Sequence, residues 1–438
     1  MPNLKRLKIK CCNFLAKRFT DDGAGWLFLQ QLIIAPMSLI TTVVLARILS
    51  ISDYGYYKYI LNMNAIIAMF GLTGMYGIAS LNIQRGQDNF FDLAFQYRKF
   101  LRWLPSFIAL VISLYYFYYQ NNFLGLLFLI SIFFHFFADA YLMYTAGLSG
   151  KGAFKILAIL EMINYFISYS PPILAAYFFK TDVNVVAIVV LITFVCQFIF
   201  RYFAYHYVRI YFGFKNNLSQ ASLTSSETSL ENLNLMRDKN FEKESLDLSV
   251  NTSLGGLGNN AAGVVVFNRL GSEDKAVYSL ALTFADFASL FITAPMNRII
   301  LCLSKMTKDN FSDRKKINYI RLQFKKYFLP TLLLTLVTML ALPLVYKFLF
   351  PKYFFSYQYA VVYSLSILAV IFSPAVSYFY ENRHFKLLNI LQIITLIINL
   401  LLLFLATNYF GLWGAIIISI IIKFITNLLF VGVMYVRK

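Results

Sequence analysis

The chain has 438 residues, of which 59% are apolar and 13% charged, and its 39 Lys and Arg outweigh 20 Asp and Glu to give a net charge of +19. Soluble domains are about half apolar and about a quarter charged, so this balance excludes an ordinary globular protein. The basic excess does not read as a nucleic-acid surface, because the Lys and Arg residues fall between apolar stretches rather than on one folded face.

In chain order, residues 1–25 form a basic segment with Lys5, Arg6, Lys8, Lys10, Lys17 and Arg18. The first apolar stretch is too long and continuous for a cleavable signal. Cys11 and Cys12 read as free cytoplasmic thiols, with acylation as the alternative. A bilayer core about 30 Å thick takes about 20 apolar residues in a helix. By that measure the expected spans are approximately 26–48, 58–80, 103–120, 123–147, 153–179, 183–206, 250–268, 276–303, 328–350, 358–380, 387–408 and 411–435. If the N-terminus is inside, the inside connectors hold most of the basic residues, around Arg98, Lys151, Arg209, Lys315 and Arg383, while the outside ones hold few, such as Lys180, Arg269 and Lys352. Both termini are therefore expected in the cytoplasm. Cys196 and Cys302 fall inside spans and suggest no disulfide framework.

Residues 211–249 break the pattern. From Lys215 to Val250 the chain turns to Ser, Asn, Glu and Lys with scattered leucines, which cannot bury enough surface to fold alone. They read as a cytoplasmic linker between an N-terminal six-helix bundle, 26–210, and a C-terminal one, 250–438. The halves echo each other. Arg47-Ile-Leu-Ser-Ile-Ser-Asp53-Tyr-Gly55-Tyr-Tyr57 in the first matches Asn268-Arg269-Leu-Gly-Ser-Glu-Asp274-Lys-Ala276-Val-Tyr278 in the second, aligning Asp53 with Asp274 and Tyr57 with Tyr278. Copies that start in the same orientation make a parallel repeat, related by an axis along the membrane normal. The expected fold class is an all-α polytopic membrane protein of about 12 transmembrane helices in two such bundles.

These connectors, the apolar first span and the small residues Gly71, Gly74 and Gly77 of the second resemble the oligosaccharide-lipid flippases. These are the Wzx-like transporters of O-antigen or capsule repeat units, within the multidrug/oligosaccharidyl-lipid/polysaccharide exporter superfamily. The resemblance covers nearly the whole chain in helix count and loop signs. It implies two six-helix bundles whose first, second, seventh and eighth helices line a cavity. Many relatives carry an Asp-Arg pair where this chain reads Ala261-Ala262-Gly263, and the linker is longer than usual.

Polar faces give the candidate site. In the eighth span Ser279, Thr283, Asp286, Thr293 and Asn297 lie within about 80° of one face; Gln31, Ser38 and Thr42 repeat the pattern in the first, and Lys58, Asn62 and Tyr76 in the second. Hydrogen bonding between helices is the alternative reading. Ionisable groups inside spans are sharper signals, since each costs roughly 2.5–3.5 kcal/mol at a helix centre. His135 and Asp139 share a helix face and can pass a proton. Glu161 has Asn164 and Ser168 on its own face. Asp286 joins these as an ion-coupling candidate, whereas Arg298, Lys58 and Lys423, with Gln31, Asn62 and Asn297, are candidates for phosphate and sugar. Arg298 lies near a helix end and either snorkels to headgroups or meets a phosphate; for Lys423 a structural ion pair is the alternative.

No phosphate loop, metal-ligand spacing or catalytic constellation is present in the sequence, so the expectation is neither an enzyme nor a cofactor protein. The sequence reads as a transporter that flips a polyprenyl-diphosphate-linked oligosaccharide from the inner to the outer leaflet of a bacterial cytoplasmic membrane. Alternating access would be coupled to protons or sodium. Its expected partners are that cargo, membrane lipids and a glycan polymerase, with no nucleic acid. A drug or cation antiporter of the same superfamily is the alternative, and a polytopic glycan polymerase or ligase a more distant one.

Overall fold

The computed structural model describes residues 24–180, 182, 184–214, 239–308, 311–382 and 384–436. Among these residues every regular element is helical. Among the described residues eight helices are long and apolar enough to cross a membrane, or nine if a bent pair counts as one span. The protein is a multi-pass membrane protein.

In the first half, α1 (Ala24–Ile48) is followed by α2 (Ile51–Met69) and α3 (Met75–Gln84). Ser50 starts α2 by accepting the Asp53 amide at 3.0 Å, and Asp53 sits in the first turn, where a carboxylate suits the helix dipole. The helix therefore begins in the polar connector, ahead of the apolar run expected from residue 58. The expected second span is not continuous. It breaks between Met69 and Met75, where Leu72 adopts a left-handed φ of 54°, a conformation costly for a branched side chain.

Next come α4 (Asn89–Leu101), α5 (Trp103–Tyr118), α6 (Asn122–Phe137), α7 (Met143–Gly150), α8 (Phe154–Phe178) and α9 (Val185–Tyr211). The expected fourth span is bent by 47° between α6 and α7. The bend coincides with Asp139, whose neighbourhood holds the charges described below.

The second half contains α10 (Lys239–Leu270), α11 (Ser272–Lys308), α12 (Asp313–Leu349), α13 (Tyr357–Tyr363), α14 (Ser373–Glu381) and α15 (Phe385–Val436). Two 3-10 segments, Pro351–Ser356 and Ser364–Phe372, flank α13, so the expected tenth span is irregular. The expected eleventh and twelfth spans form the two arms of α15, which turns at Gly411 with φ 57°. Glycine reaches that angle without the steric cost of a side chain. Among the described residues the expected second and seventh spans do not form helices long and apolar enough to cross a membrane. One is interrupted, and the other starts in the polar residues that precede Val250. Residues 215–238 of the expected linker, with Arg383, Cys11, Cys12 and the basic N-terminal segment, lie outside the described residues.

Three apolar clusters hold the fold. One centres on Phe91, Tyr144 and Tyr205 of the first half, with Leu248 of α10 packed against it, and another lies in the second half around Ile317, Tyr378 and Phe430. The third crosses between halves and includes Tyr54, Tyr59 and Ile60 with Val266, Phe267 and Ala276. Along this seam Tyr59 stacks on Phe267 with ring centroids 3.7 Å apart. Gly55 and Gly74 allow backbones to touch. A methyl group on Gly55 would collide with the Ser272 carbonyl, and one on Gly74 with the Leu248–Ser249 backbone. Small residues permit this approach in membrane helices.

The halves also exchange cations at one end of the seam. Arg47, at the end of α1, donates through Nε to the Leu349 carbonyl at 2.9 Å and through Nη2 to the Phe348 carbonyl. Lys352, just beyond α12, donates back to the Arg47 carbonyl at 2.8 Å and the Leu49 carbonyl at 3.4 Å. Beside this exchange the Ser52 and Ser272 hydroxyls meet at 2.7 Å.

Candidate functional site

The second half lines a half-open cavity of about 520 Å³ between α10, α11, α13, α14 and α15. Its polar lining includes Asp286, Lys423, Tyr363, Asn259, Gln392 and Asn399. Two sequence candidates meet here. Lys423 Nζ lies 3.5 Å from Asp286 Oδ1 and donates to the Tyr363 hydroxyl at 2.6 Å. The Asp286 side chain is 57% exposed and that of Lys423 37%, and both residues line the cavity.

Sequence spacing sets these positions. Tyr278, Leu282 and Asp286 repeat every four residues on one stripe of α11. Ser419, Lys423 and Asn427 do the same on the second arm of α15. Tyr278 and Ser419 hydroxyls meet at 2.9 Å, and Asn427 Nδ2 donates to the Ala369 carbonyl at 3.2 Å. The amides thus fix the wall while the lysine ammonium keeps donor capacity for a ligand. Of the polar face expected on α11, only Asp286 lines this cavity. Thr283 and Thr293 donate to the Ser279 and Ser289 carbonyls one turn back, at 2.8 and 3.0 Å, which satisfies their hydroxyls without a cavity. The side chains of Asn297 and Arg298 lie outside the described ones.

A second polar cluster lies in the first half. His135 is fully buried, and its Nδ1 is 3.0 Å from Asp139 Oδ2. Arg201 of α9 reaches the other carboxylate oxygen at 3.6 Å. Tyr76 donates to the Asp139 carbonyl at 2.6 Å, and the Arg98 guanidinium stacks over the Tyr76 ring at 4.3 Å. Burying Asp139 requires such partners, because an isolated carboxylate in this setting is costly. Glu161 accepts from the Tyr144 hydroxyl at 2.8 Å, and Asn164 pairs with Ser168 on the same helix.

The remaining candidates sit elsewhere. Asn62 lies on the seam; with its amide turned toward the ammonium, its oxygen accepts from Lys275 at 3.1 Å and its nitrogen donates to the Lys58 carbonyl at 3.2 Å. Lys275 is 1% exposed, and among the described residues no carboxylate is paired with it. Lys58 Nζ lies over the Tyr54 ring at 5.4 Å. Gln31, in α1, keeps a buried amide oxygen with no partner among the described residues. None of these three candidates lines the second-half cavity. Arg201 and Lys275 were not among the sequence candidates. The signal for Arg201 was present, since it is a charge inside an expected span.

Residues 21–241 match the family described as polysaccharide biosynthesis protein. The chain belongs to that family. Among curated proteins, none matches it. Solved structures share its fold across nearly its whole length. An inward-facing multidrug resistance MATE family transporter of the MOP superfamily superposes with a TM-score of 0.61 at 12% identity, covering 94% of this chain and 98% of the other. A mutant of the Vibrio cholerae MATE transporter VcmN gives 0.60 at 15%, with 97% of each chain covered. A MOP superfamily transporter from Pyrococcus furiosus, reported with a binding pocket of reversed polarity, gives 0.57 at 12%, covering 95% and 96%. The fold is thus the two-lobed helical membrane fold of MATE transporters. Among the described residues no group of His, Cys, Asp and Glu is placed to hold a metal ion.

Proposed function

We propose that this protein is a secondary transporter that flips a polyprenyl-diphosphate-linked oligosaccharide from the inner to the outer leaflet of a bacterial cytoplasmic membrane. Both termini are cytoplasmic in this reading, and the two halves rock about the seam to expose the cavity alternately. The observation that carries it is the second-half cavity of a polysaccharide biosynthesis family member, where one lysine and a set of amides and hydroxyls face the same space. A lysine offers a mobile point charge to phosphate oxygens, and Asn, Gln and Tyr side chains suit sugar hydroxyls. The exposed aromatic end of α5, with Tyr115, Tyr118 and Tyr119, fits a membrane-interface belt.

Ion coupling is assigned to the membrane-embedded carboxylates. His135 and Asp139, held by Arg201, form the proton-handling group of the first half, and Asp286 that of the second. Membrane-lodged charges are retained for such roles because they are otherwise costly. The flipped unit is taken up outside by a glycan polymerase.

The test is complementation of surface glycan in a strain lacking this gene. Lys423→Ala, at normal membrane protein level, should lose surface glycan, and Lys423→Arg should keep part of it. Normal glycan with Lys423→Ala would remove the lysine from cargo binding. A second reading, a drug or cation antiporter, draws on Asp286, whose carboxylate would attract a cation. It would be favoured if the deletion left glycan unchanged and raised sensitivity to cationic drugs.

A further inference from the structure

We infer that Asp286 and Lys423 form an exchange site in which a diphosphate anion takes the lysine from the carboxylate and Asp286 takes up a proton in the same step. This rests on the proposed cargo and adds how ion and cargo are linked. The pair is loose: Nζ to Oδ1 is 3.5 Å, whereas Nζ donates to the Tyr363 hydroxyl at 2.6 Å. The tyrosine hydroxyl therefore anchors the lysine whether or not the carboxylate is present.

Among the described residues Asp286 has no second cation to turn to. The charged and titratable groups described around it are Tyr278 on its own helix, Tyr363 on α13 and Lys423 on α15; α10 contributes the neutral Asn259 and α14 the apolar Val376. Paired, the cavity is neutral. A diphosphate diester brings two negative charges, and a bare carboxylate beside it adds a third with one lysine to balance them. Like charges at such range favour the protonated carboxyl, so a proton from the water on the open side moves onto Asp286 as the anion seats on Lys423. The converse holds by linkage: the anion binds more tightly as pH falls. Loss of that proton returns Lys423 to Asp286 and weakens the hold on the anion. The cavity volume of about 520 Å³ accommodates a diphosphate and adjoining sugar.

The probe is dibutyl diphosphate diester, which has no group titrating near neutral pH. The full-length protein in phosphatidylcholine nanodiscs would be titrated by calorimetry in two buffers of different ionisation enthalpy, which gives the protons exchanged per anion bound. The wild type should take up about one proton per diester. Asp286→Asn should bind the diester with no uptake, and Lys423→Met should bind about 10- to 100-fold more weakly. Lys423→Arg should retain binding and uptake, showing that a weak Lys423→Met signal is not misfolding. Equal proton uptake in Asp286→Asn, or unchanged affinity in Lys423→Met, overturns the exchange. Nanodiscs containing phosphatidylglycerol separate cargo from headgroup. Unchanged diester affinity supports a cargo site, and competition by the headgroup overturns it. Surface glycan is scored separately, so a cell that still displays glycan while its transporter shows no proton uptake rejects the exchange and leaves the flippase reading standing.

Discussion

Arg47 and Lys352 cap each other's helices across the two halves. The arginine satisfies the last carbonyls of α12, and the lysine those at the end of α1. A cation at a helix C-terminus is favourable because the unpaired carbonyls concentrate negative potential there. Each half thus supplies the cap that the other lacks. In an alternating-access cycle this end of the seam must part, and four orphaned carbonyls oppose the parting.

Because the Ser52 and Ser272 hydroxyls meet, cysteines at both positions should form a disulfide that holds the halves together. Oxidised Ser52→Cys/Ser272→Cys should transport nothing, and reductant should restore it. Neither single variant should respond. Transport that persists in the fully crosslinked protein would show that this end stays closed throughout the cycle.

Gly55 gives a packing prediction. The methyl of Gly55→Ala meets the Ser272 carbonyl, a backbone atom that cannot rotate away. Overpacking of this kind costs about 1–3 kcal/mol, visible as a lower unfolding temperature in detergent. Gly77→Ala, facing only the flexible end of Leu248, should be milder.

Lys275 and Asn62 make an asymmetric pair. Removing the amide acceptor in Asn62→Leu leaves a buried ammonium without its acceptor, a penalty of about 1–3 kcal/mol or more. Lys275→Met removes the charge itself and should restore stability in the Asn62→Leu background, since apolar replacement of a buried charge is often neutral or stabilising. A double variant as unstable as Asn62→Leu alone would refute the assignment. Thermal unfolding of the four proteins completes the cycle.

The helical, membrane-embedded character was legible in the sequence, and so was the Asp286–Lys423 pair as two suspicious charges. Their meeting was not, because it depends on the turn at Gly411 that returns α15 to α11. Lys275 was hidden for another reason. It stands just before an expected span and reads as part of a connector, yet α11 starts at Ser272 and carries it into the seam. Hydropathy marks where chains are apolar, but polar residues extend helices when a cap such as Ser50 starts them. The break at Leu72 was equally illegible, since it places a non-glycine residue where only tertiary packing sustains positive φ.

The first-half cluster supports a further prediction. Asp139→Ala leaves Arg201 and buried His135 without their carboxylate, and breaking such a buried pair costs about 3–5 kcal/mol. Asp139→Asn keeps the shape and should fold better. If Asp139 handles the coupling ion, Asp139→Asn should respond little to an imposed proton or sodium gradient even at equal protein level. Wild-type gradient dependence in Asp139→Asn would reduce the cluster to a structural role.

Transport of a lipid-linked glycan is read most directly as leaflet exchange in proteoliposomes. Polyprenyl-diphosphate-linked oligosaccharide would be placed in one leaflet, and its arrival in the other read by a membrane-impermeant glycan-modifying enzyme. Exchange should run above protein-free vesicles, be accelerated by an ion gradient and be lost in Lys423→Ala. Exchange no faster than in protein-free vesicles, with a wild-type protein shown to be folded, would contradict the flippase reading.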